Sequence, residues 1–175
     1  MSGLLFAVFL VFGFSAMGAS FDASTPEGGD FDTVFFYTPA EAARKAASYT
    51  ADEVSAAILA HWTYDLAFPS SYGFFCASAW AFGLRLLAGG ARPARFGFVA
   101  VPIAGALFDL GENAAVSGLL AAAPNAACVG PLAVLASGFT LAKWIFVVPA
   151  FGGALCLPAV GFIAAAARRR RPAGA

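Results

Sequence analysis

The chain has 175 residues, of which 61% are hydrophobic and 11% charged, with a mean hydropathy of +0.80 and a formal net charge of zero. Soluble domains carry about a quarter of their residues charged, so this composition excludes an ordinary aqueous globule and points to a bilayer, while the balanced charge offers no surface for nucleic acid. The charges are nevertheless segregated: seven of the ten acids lie within residues 22–53, whereas Arg85, Arg92, Arg95 and Arg168 to Arg171 hold most of the bases.

The first apolar run, residues 4–19, has no Lys or Arg before it and ends in Ser15-Ala16-Met17-Gly18-Ala19-Ser20. Secretory signal peptides open with a positive segment, so a retained span over about 3–20 is expected rather than a cleaved leader. Residues 21–38 are rich in Asp, Gly, Ser and Thr and read as a loop. Thr38-Pro39-Ala40-Glu41 then combines an N-cap, a proline at the first helical position and a capping glutamate. Thr50-Ala51-Asp52-Glu53 repeats that chemistry, so a second helix begins near Ala51 and is expected to continue toward the membrane.

From Val54 the pattern stays apolar to Leu87, longer than one crossing at 1.5 Å per residue. Counting back about 20 residues from Leu87 puts the outer boundary near Phe68, with His61, Trp62, Tyr64 and Asp65 at or above it. Pro69 has no N–H and frees the carbonyl four residues earlier, which belongs to Asp65. Residues 88–95, with Gly89-Gly90, Pro93 and two arginines, form a basic turn.

The third apolar stretch, residues 96–119, carries Asp109, Glu112 and Asn113. Positions three and four apart share a helical face, so the three polar groups lie on one stripe. A charge in hydrocarbon costs about 2.5–3.5 kcal/mol on insertion scales, and this stripe therefore needs partners from other helices. Asp109 lies roughly 20 Å and Glu112 roughly 24 Å along the axis from Phe96, in the outer third of a core about 30 Å thick. An outer turn is expected over residues 121–131. The last run, residues 132–167, again exceeds one crossing; counting back about 20 residues from Ala167 places Lys143 and Trp144 at the outer interface, with kinks expected at Pro149 and Pro158.

The fold expected is all-α: a polytopic transmembrane bundle of four helices with a short extracytoplasmic helical segment. It is one membrane domain over 1–175, with spans at about 3–20, 67–88, 96–119 and 145–167 and extracytoplasmic loop and helices at about 21–66. The positive-inside rule places the protein in the plasma (inner) membrane with both termini cytoplasmic and the acidic 21–53 segment outside. Small residues spaced by four, Gly73, Ala77 and Ala81, then Gly161 and Ala165, would allow close helix approach. Cys76, Cys128 and Cys156 form no Cys-x-x-Cys pair and do not read as a disulfide, redox or zinc set; Cys76 and Cys156, within apolar spans, read as small hydrophobes.

Tyr64-Asp65-Leu66-Ala67-Phe68-Pro69 with Tyr72-Gly73, then Phe108-Asp109-Leu110-Gly111-Glu112-Asn113, then Thr140 with Lys143-Trp144, carry a likeness over residues 37–148. On these patterns the chain resembles small four-helix bacterial membrane proteins. The resemblance implies the fold and no activity.

The counts bring His61, Asp65, Asp109, Glu112, Asn113 and Lys143 to one level near the outer boundary. With His61 neutral, three carboxylates against one lysine would leave two negative charges in excess, which calls for a shared proton or a bound cation. His61 and Asp65, spaced by four, would share a face. Three functions follow: a structural or accessory membrane protein held by an interhelical network; a membrane-embedded enzyme using acid/base chemistry on a lipid or amphiphile; or a small carrier or subunit handling protons or a cation. No Gly-x-Ser-x-Gly or His-Glu-x-x-His motif is present, so no catalytic residue is assigned. No cofactor is expected, and Lys143 opposes a divalent metal at that level. The partners expected are the lipid bilayer and either a further protein or a second copy of the chain.

Overall fold

The computed structural model describes residues 31, 34–89, 96–123 and 126–170, which are helical with short connections. The expected first span at 3–20, most of the following loop, Arg92 and Arg95 of the basic turn, and Arg171 lie outside the described residues.

Helices α1 (Pro39–Ser48) and α2 (Ala51–His61) start where the capping chemistry places them. The backbone N–H of Glu41 donates to the Thr38 hydroxyl at 3.2 Å and the Thr38 N–H donates to the Glu41 carboxylate at 2.7 Å. Thr50 and Glu53 repeat the pair at 3.3 and 2.7 Å, so each first turn satisfies donors that the helix itself leaves orphaned. The backbone N–H, with the threonine hydroxyl adding to it, holds both glutamates below the ordinary carboxyl range.

Contrary to the sequence expectation, α2 does not continue into the next apolar helix. It stops at His61, and α3 (Tyr64–Ala88) begins after Trp62 and Thr63 without a side-chain cap. The Thr63 hydroxyl turns back to donate to the Leu59 carbonyl at 2.6 Å, and its φ of −121° and ψ of −81° are not helical. A short polar side chain bonding to backbone one turn earlier competes with helix continuation in this way. At the other end Gly89, with φ of 70°, closes α3 in the left-handed conformation that glycine adopts without steric cost.

Helix α4 (Ala100–Ala122) follows a 3₁₀ turn at Phe96–Val99. Pro102 falls in its first turn, where a missing N–H costs nothing. Helix α5 (Ala126–Arg170) is 45 residues long, about 68 Å at 1.5 Å per residue, more than twice the thickness of a hydrocarbon core. The turn expected over residues 121–131 is shorter than that, since α5 has already begun at Ala126 and passes through Pro131.

Among the described residues two helices are long and apolar enough to cross a membrane, Gly97–Ala122 and Val129–Arg170. Helix α3, at 25 residues, has the length, but Asp65, Ser70, Ser71 and Arg85 dilute its apolar character. The three long helices approach closely at glycines. A Cβ on Gly73 would lie 2.7 Å from that of Ala106, and one on Gly83 would lie 2.5 Å from the backbone carbon of Leu157. Such distances leave room only for hydrogen, the usual condition for backbone-close packing of helices in lipid.

Two apolar clusters result. The upper one joins Phe31, Tyr37, Ala42, Ala46 and Ala57 to Val116, Leu119 and Leu120 of α4 and Ala133 and Ala136 of α5. The lower one gathers Cys76, Ala150 and Ala154 with Trp80 and Phe151 packed against them. Along α3, α4 and α5 the buried polar residues fall between these clusters, except Ser117, which lies at the level of the upper one.

Candidate functional site: a buried polar layer

Each long helix contributes one face. On α4, Asp109, Glu112 and Asn113 are three and four residues apart, and on α5 so are Thr140 and Lys143. On α3, Asp65, Pro69 and Tyr72 follow at the same spacing. All of these residues are buried, Glu112 and Thr140 completely.

Lys143 is the hub. Its ammonium forms an ion pair with Glu112 Oε2 and lies 3.7 Å from Asp109 Oδ1. The second oxygen of Asp109 accepts a hydrogen bond from the Tyr72 hydroxyl at 2.8 Å. The second oxygen of Glu112 accepts from the Thr140 hydroxyl, and Thr140 Oγ1 lies 2.9 Å from Tyr37 Oη. A hydroxyl has one proton to give, so when Thr140 donates to the carboxylate, the Tyr37 phenol donates to Thr140. The result is a continuous file, Tyr72, Asp109, Lys143, Glu112, Thr140, Tyr37, running from α3 across α4 and α5 to the segment that precedes α1. Charge-assisted bonds of this kind are about twice as strong as neutral ones.

Asn113 completes the α3 side. Its Nδ2 donates to the backbone carbonyl of Asp65 at 3.0 Å. That is the carbonyl Pro69 releases, so the proline and the asparagine form one device: the ring removes an intrahelical donor and the neighbouring helix supplies a replacement.

The segment before α1 closes the layer from above. Trp144 donates its indole N–H to the Val34 carbonyl at 3.1 Å and stacks on Phe35 at 4.4 Å between centroids. Its ring lies 5.4 Å from the Lys143 ammonium, within cation–π range. Tyr37 and Phe31 are buried and meet edge to face at 5.3 Å.

His61 is buried as well, but its Nδ1 sits 3.1 Å from Ser117 Oγ on α4. The break at Trp62 and Thr63 puts His61 at the end of α2 and Asp65 at the start of α3, and the two meet α4 one turn apart, at Ser117 and Asn113. The structure thus brings Asp109, Glu112 and Lys143 into direct contact and ties Asn113 to the backbone of Asp65. It attaches His61 to the upper half of α4.

Four participants are absent from the sequence-based candidates. Tyr72 lies seven residues after Asp65, Thr140 three before Lys143 and Ser117 four after Asn113, so helical spacing alone marks each of them. Tyr37 belongs to a loop and has no such signal. Among the described residues no group of three or more His, Cys, Asp or Glu is arranged to hold a metal ion. Cys76 is a free thiol buried in the lower cluster, and Cys156 is free and exposed.

Fold and site together define a class: a protein whose described residues are helical, with two helices among them long and apolar enough to cross a membrane and a buried ion-paired layer where the long helices meet. Comparison with protein-family models, with curated proteins and with solved structures finds no match to this chain.

Proposed function

We propose that this chain is a multi-pass integral membrane protein of structural or accessory role, in which the polar layer locks α3, α4 and α5 in register and fastens the outer cap to them. The observation that carries this reading is that the three charged groups at the centre of the layer are engaged by one another and by neighbouring hydroxyls. Lys143 is held by Glu112 and Asp109, Asp109 by Tyr72, and Glu112 by Thr140. Groups so engaged serve position first, because an ion pair in a low-dielectric layer fixes one register and penalises every other.

The membrane setting is supported by the outward faces. Leu155 and Ile163 of α5 are 73% and 70% exposed, and Phe74, Leu107 and Phe162 also point away from the bundle. Soluble monomers rarely expose apolar surface on this scale, whereas acyl chains cover it. In this reading the bilayer is the principal partner, α3 is a further span, the basic ends of α3 and α5 face the cytoplasm, and α1 and α2 lie outside.

The test is a charge swap. Asp109→Asn and Lys143→Met each lower the amount of folded protein in the membrane fraction, and Asp109→Lys combined with Lys143→Asp restores much of it. A swap that fares worse than either single change would remove the scaffolding role. A second reading, proton or cation handling, is favoured by the continuous file of bonded groups and by the excess of carboxylates over Lys143. It requires proton flux in reconstituted vesicles that Asp109→Asn abolishes while protein level is maintained.

A further inference from the structure

The basic end of the α3–α5 pair contains a groove of about 860 Å³, lined among others by Ser78, Phe82, Arg85, Leu86, Ala165 and Arg169. Ser78, Phe82 and Arg85 are four and three residues apart on one face of α3, so that face presents a hydroxyl, an aromatic ring and a guanidinium in succession toward the basic end. Arg168, which also lines the groove, is already engaged. Its guanidinium donates to the Leu86 carbonyl and, at 3.3 Å, to that of Leu87, which neutralises the negative end of α3 that would otherwise repel an anion. Arg85 and Arg169 are exposed, and the stretches that face each other, residues 78–89 and 161–170, contain no Asp or Glu. The groove therefore joins two guanidinium groups to an apolar wall, with no carboxylate of those stretches to compensate them.

We infer that this groove binds an anionic phospholipid, its phosphate between Arg85 and Arg169 and an acyl chain along Phe82, Leu86 and Ala165. The chemistry matches both halves of such a molecule: arginine presents a planar fork to phosphate oxygens, and basic pockets between helices on the cytoplasmic side recognise anionic headgroups. A free phosphate would use the mouth and leave the wall idle. The inference rests on the reading of α3 and α5 as spans whose basic ends meet the cytoplasmic leaflet.

The experiment titrates short-chain phosphatidylglycerol, short-chain phosphatidylcholine and inorganic phosphate into the full chain in a neutral detergent and follows binding by calorimetry. Phosphatidylglycerol binds at least tenfold more tightly than phosphatidylcholine. Arg85→Gln combined with Arg169→Gln weakens it about 30-fold, the loss of two near-surface cationic contacts, with an unchanged melting temperature in lipid-free detergent. Arg170→Gln, at the end of α5, changes it less than threefold. Ala165→Trp, which fills the apolar wall and keeps both guanidinium groups, weakens the lipid and leaves inorganic phosphate unaffected. Equal affinity for the two lipids, or no loss in the double variant, overturns the site. So does inorganic phosphate binding as tightly as the lipid and indifferent to Ala165→Trp. Carbonate extraction of membranes separates the two levels: release of the protein refutes the membrane reading itself, whereas retention with any of those binding results refutes only the lipid site.

Discussion

Removing the ammonium of Lys143 is the sharpest perturbation of the polar layer. At an effective dielectric of about 20, a pair of unit charges 3.7 Å apart, the distance from Lys143 to Asp109, interacts by about 4.5 kcal/mol, and Glu112 is nearer still. Desolvation of the lysine offsets part of this, so the loss is better gauged from broken buried pairs, which cost about 3–5 kcal/mol when one partner is deleted. Lys143→Met keeps an unbranched side chain one atom shorter and leaves Glu112, completely buried, without its cation. Glu112→Gln keeps the volume and an acceptor for the Thr140 hydroxyl while deleting the negative charge. In the double variant the surviving Asp109 still receives the Tyr72 hydroxyl, and about 2–3 kcal/mol of the single-site loss returns. The assay is unfolding in detergent, by heat or by sodium dodecyl sulfate titration, for wild type, both single variants and the double variant. A coupling energy of at least about 2 kcal/mol is expected. Additivity within about 0.5 kcal/mol, the behaviour of independent sites, would refute the claim that this ion pair organises the layer.

Asn113→Ala leaves the Asp65 carbonyl without its donor and costs about 1–3 kcal/mol in the same unfolding assay; in a Pro69→Ala background, where residue 69 regains an N–H, that cost shrinks to less than half. Gly83→Ala places a methyl group against the Leu157 backbone and destabilises by about 1–3 kcal/mol, whereas Gly152→Ala, with nothing within 4 Å, is neutral or slightly stabilising. For α1 and α2 the pH dependence has a definite sign. Glu41 and Glu53 are depressed on folding by the cap N–H groups, so their contribution is complete above the ordinary glutamate pKa of about 4.3 and is lost as pH falls through the lowered folded values. Exchange of the backbone amides in the first turns of α1 and α2 accelerates over that acid window, and Glu41→Gln with Glu53→Gln flattens the profile; an unaltered profile in that variant would show that the two carboxylates do not hold the caps.

Local chemistry was legible in the residues wherever its range is one helical turn. Thr38 with Glu41 and Thr50 with Glu53 declare two helix starts because a capping box needs only residues three apart. Pro69 declares a freed carbonyl on Asp65 because the missing N–H acts four residues back. Composition declares the helical, apolar class, and the common stripe of Asp109, Glu112 and Asn113 follows from 3.6 residues per turn. The number of membrane crossings is not settled by such local rules: length and apolarity single out Gly97–Ala122 and Val129–Arg170, while α3 is long but mixed in character.

What tertiary structure alone decided is which groups meet. Nothing near Asp109 in the chain announces Tyr72, thirty-seven residues away, and nothing near Thr140 announces Tyr37, one hundred and three residues away. Which groups the two sides of the α2–α3 break reach belongs to the same category: His61 meets Ser117, and the Asp65 carbonyl meets Asn113. Periodicity orients a side chain about its own axis, but the rotation and height of one helix against another are set by packing at Gly73, Gly83 and Gly161. Those contacts, summed over three helices, select the carboxylate that receives the lysine.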